Sequence, residues 1–245
     1  MRSTSFWRRA VFGLKVRTKK PVPAPAEISG VRVRVSLRAR RMALRVDTKA
    51  GDVVLTWPRG TSEDLARRFI EENRRWIESR RRKIPPPQSF ADGEKISIYG
   101  AECAIVRKTG RGVTRLEGKE LAVHGSPEHL SRRVRNFLKE TARQVLEDSA
   151  AQKLERIGRL PSAIRVVDPK TRWGSCSPDG QLMFSWRLIL APCYVLDYVV
   201  AHEVAHCIHL NHSRQFWALC ASLTENAAAA RRWLKTHGAA IMAYR

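Results

Sequence analysis

The chain has 245 residues, 43% of them hydrophobic, and 46 Lys and Arg against 23 Asp and Glu give a formal net charge of +23. Such a length buries a substantial core in one or two domains, and no run approaches about eighteen uncharged apolar residues, so no transmembrane helix is predicted. The five cysteines (Cys103, Cys176, Cys193, Cys207, Cys220) are odd in number and lack C-x-x-C spacing. That argues against a disulfide framework or a cysteine-built zinc site, and suits reduced thiols in a cytoplasmic protein.

Residues 1–27 read as a disordered basic tail ending in the proline-rich stretch Pro21-Val-Pro-Ala-Pro25. Its apolar residues from Phe6 to Leu14 are interrupted by Arg8 and Arg9 and lack a secretory pattern. A basic, strand-rich region follows over 28–84. Val31, Val33, Val35 and Leu37 alternate with Arg32, Arg34, Ser36 and Arg38, which predicts a half-buried strand with an arginine-coated outer face. Residues 43–46 and 53–57 read as further strands around a turn at 49–52. Ser62 before Glu63 and Asp64 opens one helix, whose stripe of Leu65, Phe69, Ile70, Trp76 and Ile77 runs to about residue 80.

Pro85-Pro-Pro87 breaks the chain, and residues 88–245 form the remaining region. Short strands are predicted at 96–99, 102–106 and 121–123. Ser126-Pro127 opens a long helix with Leu130, Val134, Phe137, Thr141 and Val145 at helical spacing, ending near Gly158. Residues 164–167 and 182–184 read as strands flanking a Trp-Gly-Ser turn. A buried helix begins near Pro192, Ser213 caps another through about Leu223, and a last helix carries 227–233. The class is α+β.

The richest chemistry lies in His202-Glu203-Val204-Ala205-His206, with His212 six residues on. Histidines four apart share one helical face, so both rings can meet a single ion. Glu203 follows the first of them, where its carboxylate reaches a metal-bound water, and His212 can fold back as a third nitrogen. Three protein ligands and one open position characterise catalytic zinc, whereas structural sites close with four. The alternative, a core helix with idle histidines, carries a heavy desolvation cost. Tyr194, Tyr198, His209 and Arg214 are candidates for stabilising an oxyanion; Asp197 could buttress a ligand, or equally form a salt bridge or lie exposed. Trp173 and Phe216 read as packing around the site, and Cys176 as a small buried packing residue.

The ordered runs Arg172-Trp-Gly-Ser-Cys-Ser177, Trp186-Arg-Leu-Ile-Leu-Ala-Pro192, His202-Glu-Val-Ala-His206 and Asn211-His-Ser-Arg-Gln-Phe-Trp217 resemble the YgjP-like metallopeptidases. That family is similar in its zincin core to the SprT-like and WLM proteases. The runs Ser36-Leu-Arg-Ala-Arg-Arg-Met-Ala-Leu-Arg-Val46 and Trp57-Pro-Arg-Gly60 match more loosely. The resemblance implies a zincin-like metallopeptidase domain over 88–245, Zn2+ on His202, His206 and His212, and Glu203 as the catalytic carboxylate. The activity it implies is hydrolysis of peptide bonds by a zinc-activated water with a Glu general base, on a protein or peptide substrate.

The charge is uneven. Residues 1–85 hold 23 Lys and Arg against 8 Asp and Glu, a balance of +15, whereas 173–230 hold only Arg187 and Arg214 against four acids. A basic amino-terminal half attracts polyanions, nucleic acid among them. The alternative function is therefore a basic nucleic-acid-associated binding protein in which the metal unit is secondary or inert.

Overall fold

The computed structural model describes residues 25–47, 51–160, 162–169 and 171–245. The tail expected over 1–27 lies outside them up to residue 24, as does part of the turn expected at 49–52. The chain divides into two compact units at Pro86 and Pro87. Among the described residues no helix is long and apolar enough to cross a membrane.

The first unit is a four-stranded sheet with two helices. Strands β1 (Glu27–Ile28), β2 (Val31–Ser36), β3 (Ala43–Val46) and β4 (Val53–Pro58) lie in the order β1-β2-β4-β3, with β2 and β4 parallel. Period-two alternation puts Ile28, Val31, Leu44, Val46, Val53, Leu55 and Trp57 into one core with Phe69, Ile70 and Ile77 of the helices. The expected inward row of β2 stops early. Val31 is buried, but Val35 is 53% and Leu37 79% exposed. The single helix expected after Ser62 is two, α1 (Glu63–Glu72) and α2 (Arg74–Arg81). Ser62 caps α1 by accepting from the Leu65 amide. The break is at Asn73, whose side-chain amide donates to the Phe69 carbonyl at 2.8 Å and competes with the helical ladder.

The second unit, Pro87–Arg245, holds the histidines. Strands β5 (Lys95–Ile98), β6 (Ala101–Lys108), β7 (Arg115–Glu117) and β8 (Glu120–His124) form a sheet in the order β5-β6-β8-β7. After a 3-10 turn at Pro127–His129 comes the long helix α3 (Leu130–Arg156). Its buried line is Leu130, Val134, Leu138, Ala142, Leu146, Ala150 and Leu154, not the expected series through Phe137, Thr141 and Val145. Steps of four advance the line by about 40° each around the helix. α3 therefore turns successive faces to different neighbours, and Phe137 and Val145 lie partly buried at its flank.

A three-stranded sheet follows, from β9 (Ala163–Val167), β10 (Gly174–Cys176) and β11 (Gln181–Ser185), in the order β10-β11-β9. The expected Trp-Gly-Ser turn is thus a strand, with Gly174 opposite Phe184 and Cys176 opposite Leu182. Three helices complete the unit: α4 (Cys193–Ala205), α5 (Arg214–Leu223) and α6 (Ala227–Met242). α4 is apolar all round and packs against α3, α5, α6 and β10, as a helix at the centre of a core must.

The carboxyl-terminal end closes onto the beginning of the unit. Gln88 bridges to Tyr244, the Gln88 amide donates to the Ala243 carbonyl at 3.0 Å, and Tyr244 stacks on Phe90 with its hydroxyl donating to Glu94 at 2.8 Å. Arg187, 1% exposed, donates its Nε to the Tyr244 carbonyl at 2.9 Å and pairs with Asp168.

Candidate metal centre

The centre grows out of the two ends of α4. Pro192 precedes the helix with φ −55°, and its carbonyl accepts the Val195 amide at 2.9 Å. Val195, Leu196, Val199, Val200 and Val204 are all sealed in the core, which fixes the helix against rotation. His202 and Glu203 lie in its last turn, and His206 is its C-terminal cap. There the ladder tightens, His206 donating to the Glu203 carbonyl at 3.2 Å and Cys207 to Val204 at 2.9 Å. The chain then reverses. Ser213 caps α5 by accepting the Phe216 amide at 3.3 Å, and Asn211 accepts the Ser213 amide at 3.2 Å. Between those two bonds sits His212.

The three imidazoles converge. Ring centroids are 5.0 Å apart for His202 and His206, 5.1 Å for His202 and His212, and 4.7 Å for His206 and His212. One nitrogen from each lies within 4.8 Å of the others. The Nε2 atoms of His202 and His212 are 3.3 Å apart. Two nitrogens on a tetrahedral zinc with bonds of about 2.05 Å stand roughly 3.3 Å from each other, so this pair fits the ion. His206 directs its Nδ1 at the His209 carbonyl, 2.9 Å away, which leaves its Nε2 lone pair free for a metal. The Nδ1 of His202 is buried without a partner among the described residues. Rings rather than a hydrogen bond hold that imidazole: Phe216 at 5.0 Å, Trp217 at 5.8 Å and Tyr198 at 6.0 Å.

Burial sets the protonation. The His202 imidazole is driven down to about 3 by burial, reinforced by His206 and His212, so it stays neutral and able to ligate. His212 is lowered by the same two causes, burial first and then His206. Glu203, 8% exposed, is pushed up to about 8 by burial, with Arg172 pulling the other way. A cation beside it would favour the carboxylate again.

The sequence reading missed what lies against Glu203. β10 presents Gly174 and Cys176 to α4. A Cβ on Gly174 would stand 2.6 Å from Glu203 Cγ, and the Cys176 amide donates to the Glu203 carboxylate. A glycine inside a strand signals close approach of that kind, and the Arg172-to-Ser177 run carried it. Cys176 packs against the core as expected but is only half-buried, with its thiol 3.6 Å from that of Cys207.

The other expected neighbours divide. Tyr198 is buried near His202, and burial pushes its phenol up to about 12. His209 contributes its backbone carbonyl. Tyr194 instead lines a cavity of about 440 Å3 with Tyr99, Lys153 and Asp197. Asp197 pairs with Lys153, not with a histidine. Phe216 packs as expected, fully buried amid the imidazoles.

Residues 40–237 match the YgjP-like metallopeptidase domain, so the chain belongs to the YgjP-like family. At the level of the family this makes it a peptidase that depends on a divalent metal, and His202, His206 and His212 are a donor set compatible with one. No curated protein and no solved structure matches the chain.

Proposed function

We propose that the protein is a zinc-dependent peptidase, with His202, His206 and His212 as metal ligands and Glu203 as the general base. The observation that carries this reading is the convergence of three imidazoles beside a buried carboxylate. Zinc bound there would supply Lewis acidity, lowering the pKa of a coordinated water and polarising the scissile carbonyl.

The remaining work falls to the chain. Glu203 accepts a proton from the attacking water and returns it to the departing amine nitrogen. The Cys176 amide holds its carboxylate in place, and the flat contact with Gly174 leaves that carboxylate no room to swing toward β10. The His209 carbonyl fixes the tautomer of His206. Tyr198, buried beside His202 and protonated at any working pH, offers a hydroxyl for an oxyanion. Ile208 and Leu210 are exposed in the loop between the second and third histidines, which suits an apolar side chain of a peptide substrate.

Purified wild type and Glu203→Gln test the assignment together. The expected result is zinc in both, cleavage of an unfolded protein by wild type alone, and loss of that cleavage on chelation with recovery on adding zinc. Absence of metal from protein purified without chelators would sink the proposal.

A second reading, nucleic-acid binding through the first unit, is favoured by its exposed arginines: Arg32 and Arg34 on β2, Arg67 and Arg68 on α1, Arg74, Arg75 and Arg81 on α2. It expects binding to a labelled DNA duplex that weakens steeply with salt and survives Glu203→Gln. Binding that ignores salt would remove it.

A further inference from the structure

We infer that Cys176 and Cys207 form a redox-modification site, closing to a disulfide that ties β10 to the end of α4 when the protein meets hydrogen peroxide. The two thiols belong to different segments, one on the strand that faces Glu203 and one directly after His206. Their sulfurs are 3.6 Å apart, whereas a disulfide needs about 2.05 Å, so side-chain rotation and a small approach of the strand complete the bond. Both residues are half-buried and open to a small oxidant. Among the other cysteines, Cys103 and Cys220 are buried and Cys193 is exposed at the start of α4.

The chemistry balances in two steps. One thiolate attacks a peroxide oxygen, breaking the O–O bond to give a sulfenic acid and hydroxide. The second thiol then attacks the sulfenic sulfur, forming the S–S bond and releasing the oxygen as water. In sum two thiols lose two hydrogens, and one peroxide becomes two waters.

The bond has a consequence for the site, which rests on the peptidase reading above. Cys176 is the residue whose amide holds the Glu203 carboxylate, and Cys207 adjoins His206. Drawing the two sulfurs together shifts that amide against the helix. Displacements near 1 Å at reacting groups cost up to about a hundredfold in rate, so oxidation is expected to slow cleavage by about tenfold or more.

The test uses the full chain treated with hydrogen peroxide, alkylated, and digested with trypsin without reduction. The expected product links residues 173–187, which hold Cys176, to residues 188–214, which hold Cys193 and Cys207. Its mass lacks two hydrogens. The link persists in Cys193→Ser, disappears in Cys207→Ser, and dithiothreitol removes it. A link that survives Cys207→Ser, or independent sulfinic acids with no link, overturns the pairing. Cleavage of an unfolded protein should fall on oxidation and recover with dithiothreitol in wild type, and stay level in Cys207→Ser. A linked protein that cleaves as before overturns the regulatory consequence. Reduced wild type that cleaves nothing counts against the peptidase reading, while the mass measurement still decides the disulfide.

Discussion

The carboxylate arm of Glu203 lies flat against the backbone of Gly174, so closely that a methyl group there would stand 2.6 Å from Cγ and 2.8 Å from Oε1. Gly174→Ala cannot be absorbed by β10 without moving either the strand or the carboxylate. The candidate metal donors are the three imidazoles and not this carboxylate, so bound metal should remain at wild-type stoichiometry. With Glu203 as the proposed general base, cleavage should fall by about a hundredfold, the cost of a misplaced reacting group. Metal content and turnover measured on one preparation check both halves, and loss of metal with turnover would show a wider collapse.

His212 enters the centre from the loop between α4 and α5, while His202 and His206 share one helix. On the proposed assignment, removing it leaves two ligands of three. His212→Ala is expected to weaken metal binding by at least about a hundredfold while the helices persist. Titration of the chelated protein with zinc, followed through the fluorescence of Trp217, 5.6 Å from the His212 ring, reads the change.

Lys153 is nearly buried on α3, where its ammonium meets Asp197 and donates to the Leu223 carbonyl at 2.8 Å. It thereby closes the end of α5. Lys153→Met keeps the stem and leaves that carbonyl without its donor, so stability should drop by about 2 kcal/mol. The midpoint of urea unfolding reports it, and an unchanged midpoint would mean that water replaces the ammonium there.

Arg187 is a comparable stake. Its guanidinium is enclosed over Trp186, paired with Asp168 and bonded to the Tyr244 carbonyl. Arg187→Met should cost about 2 kcal/mol, since the Tyr244 carbonyl loses its charged donor while Asp168, partly exposed, turns to water. Proteolysis at the carboxyl-terminal end should accelerate in step. Ordinary resistance there would show that the aromatic stacking of Tyr244 on Phe90 suffices.

How much of this was legible in the sequence follows from how local each cause is. The helix that carries His202 and His206 was readable because an unbroken apolar run can only be central, and because their four-residue spacing is a property of one helix. Ser213 announced the cap that positions His212. β10 was not legible as a strand: Gly-Ser-Cys has little intrinsic preference for one, and only pairing with β11 makes it so. The burial of α3 was misread by a residue because its partners change along its length. The outward turn of Val35 and Leu37 is likewise set by what β2 lacks beside it. For Asp197 the sequence left a histidine partner and a salt bridge both open, because the charge that claims it, Lys153, is distant in sequence.

The bridge between Gln88 and Tyr244 leaves the two ends of the second unit side by side. A short peptide joining them would span almost no distance, and the chain could then be opened at an exposed turn such as that around Gly118. Such a circular permutant would keep every segment that surrounds the three histidines. The order in which the polypeptide visits the centre is thus separable from the centre itself.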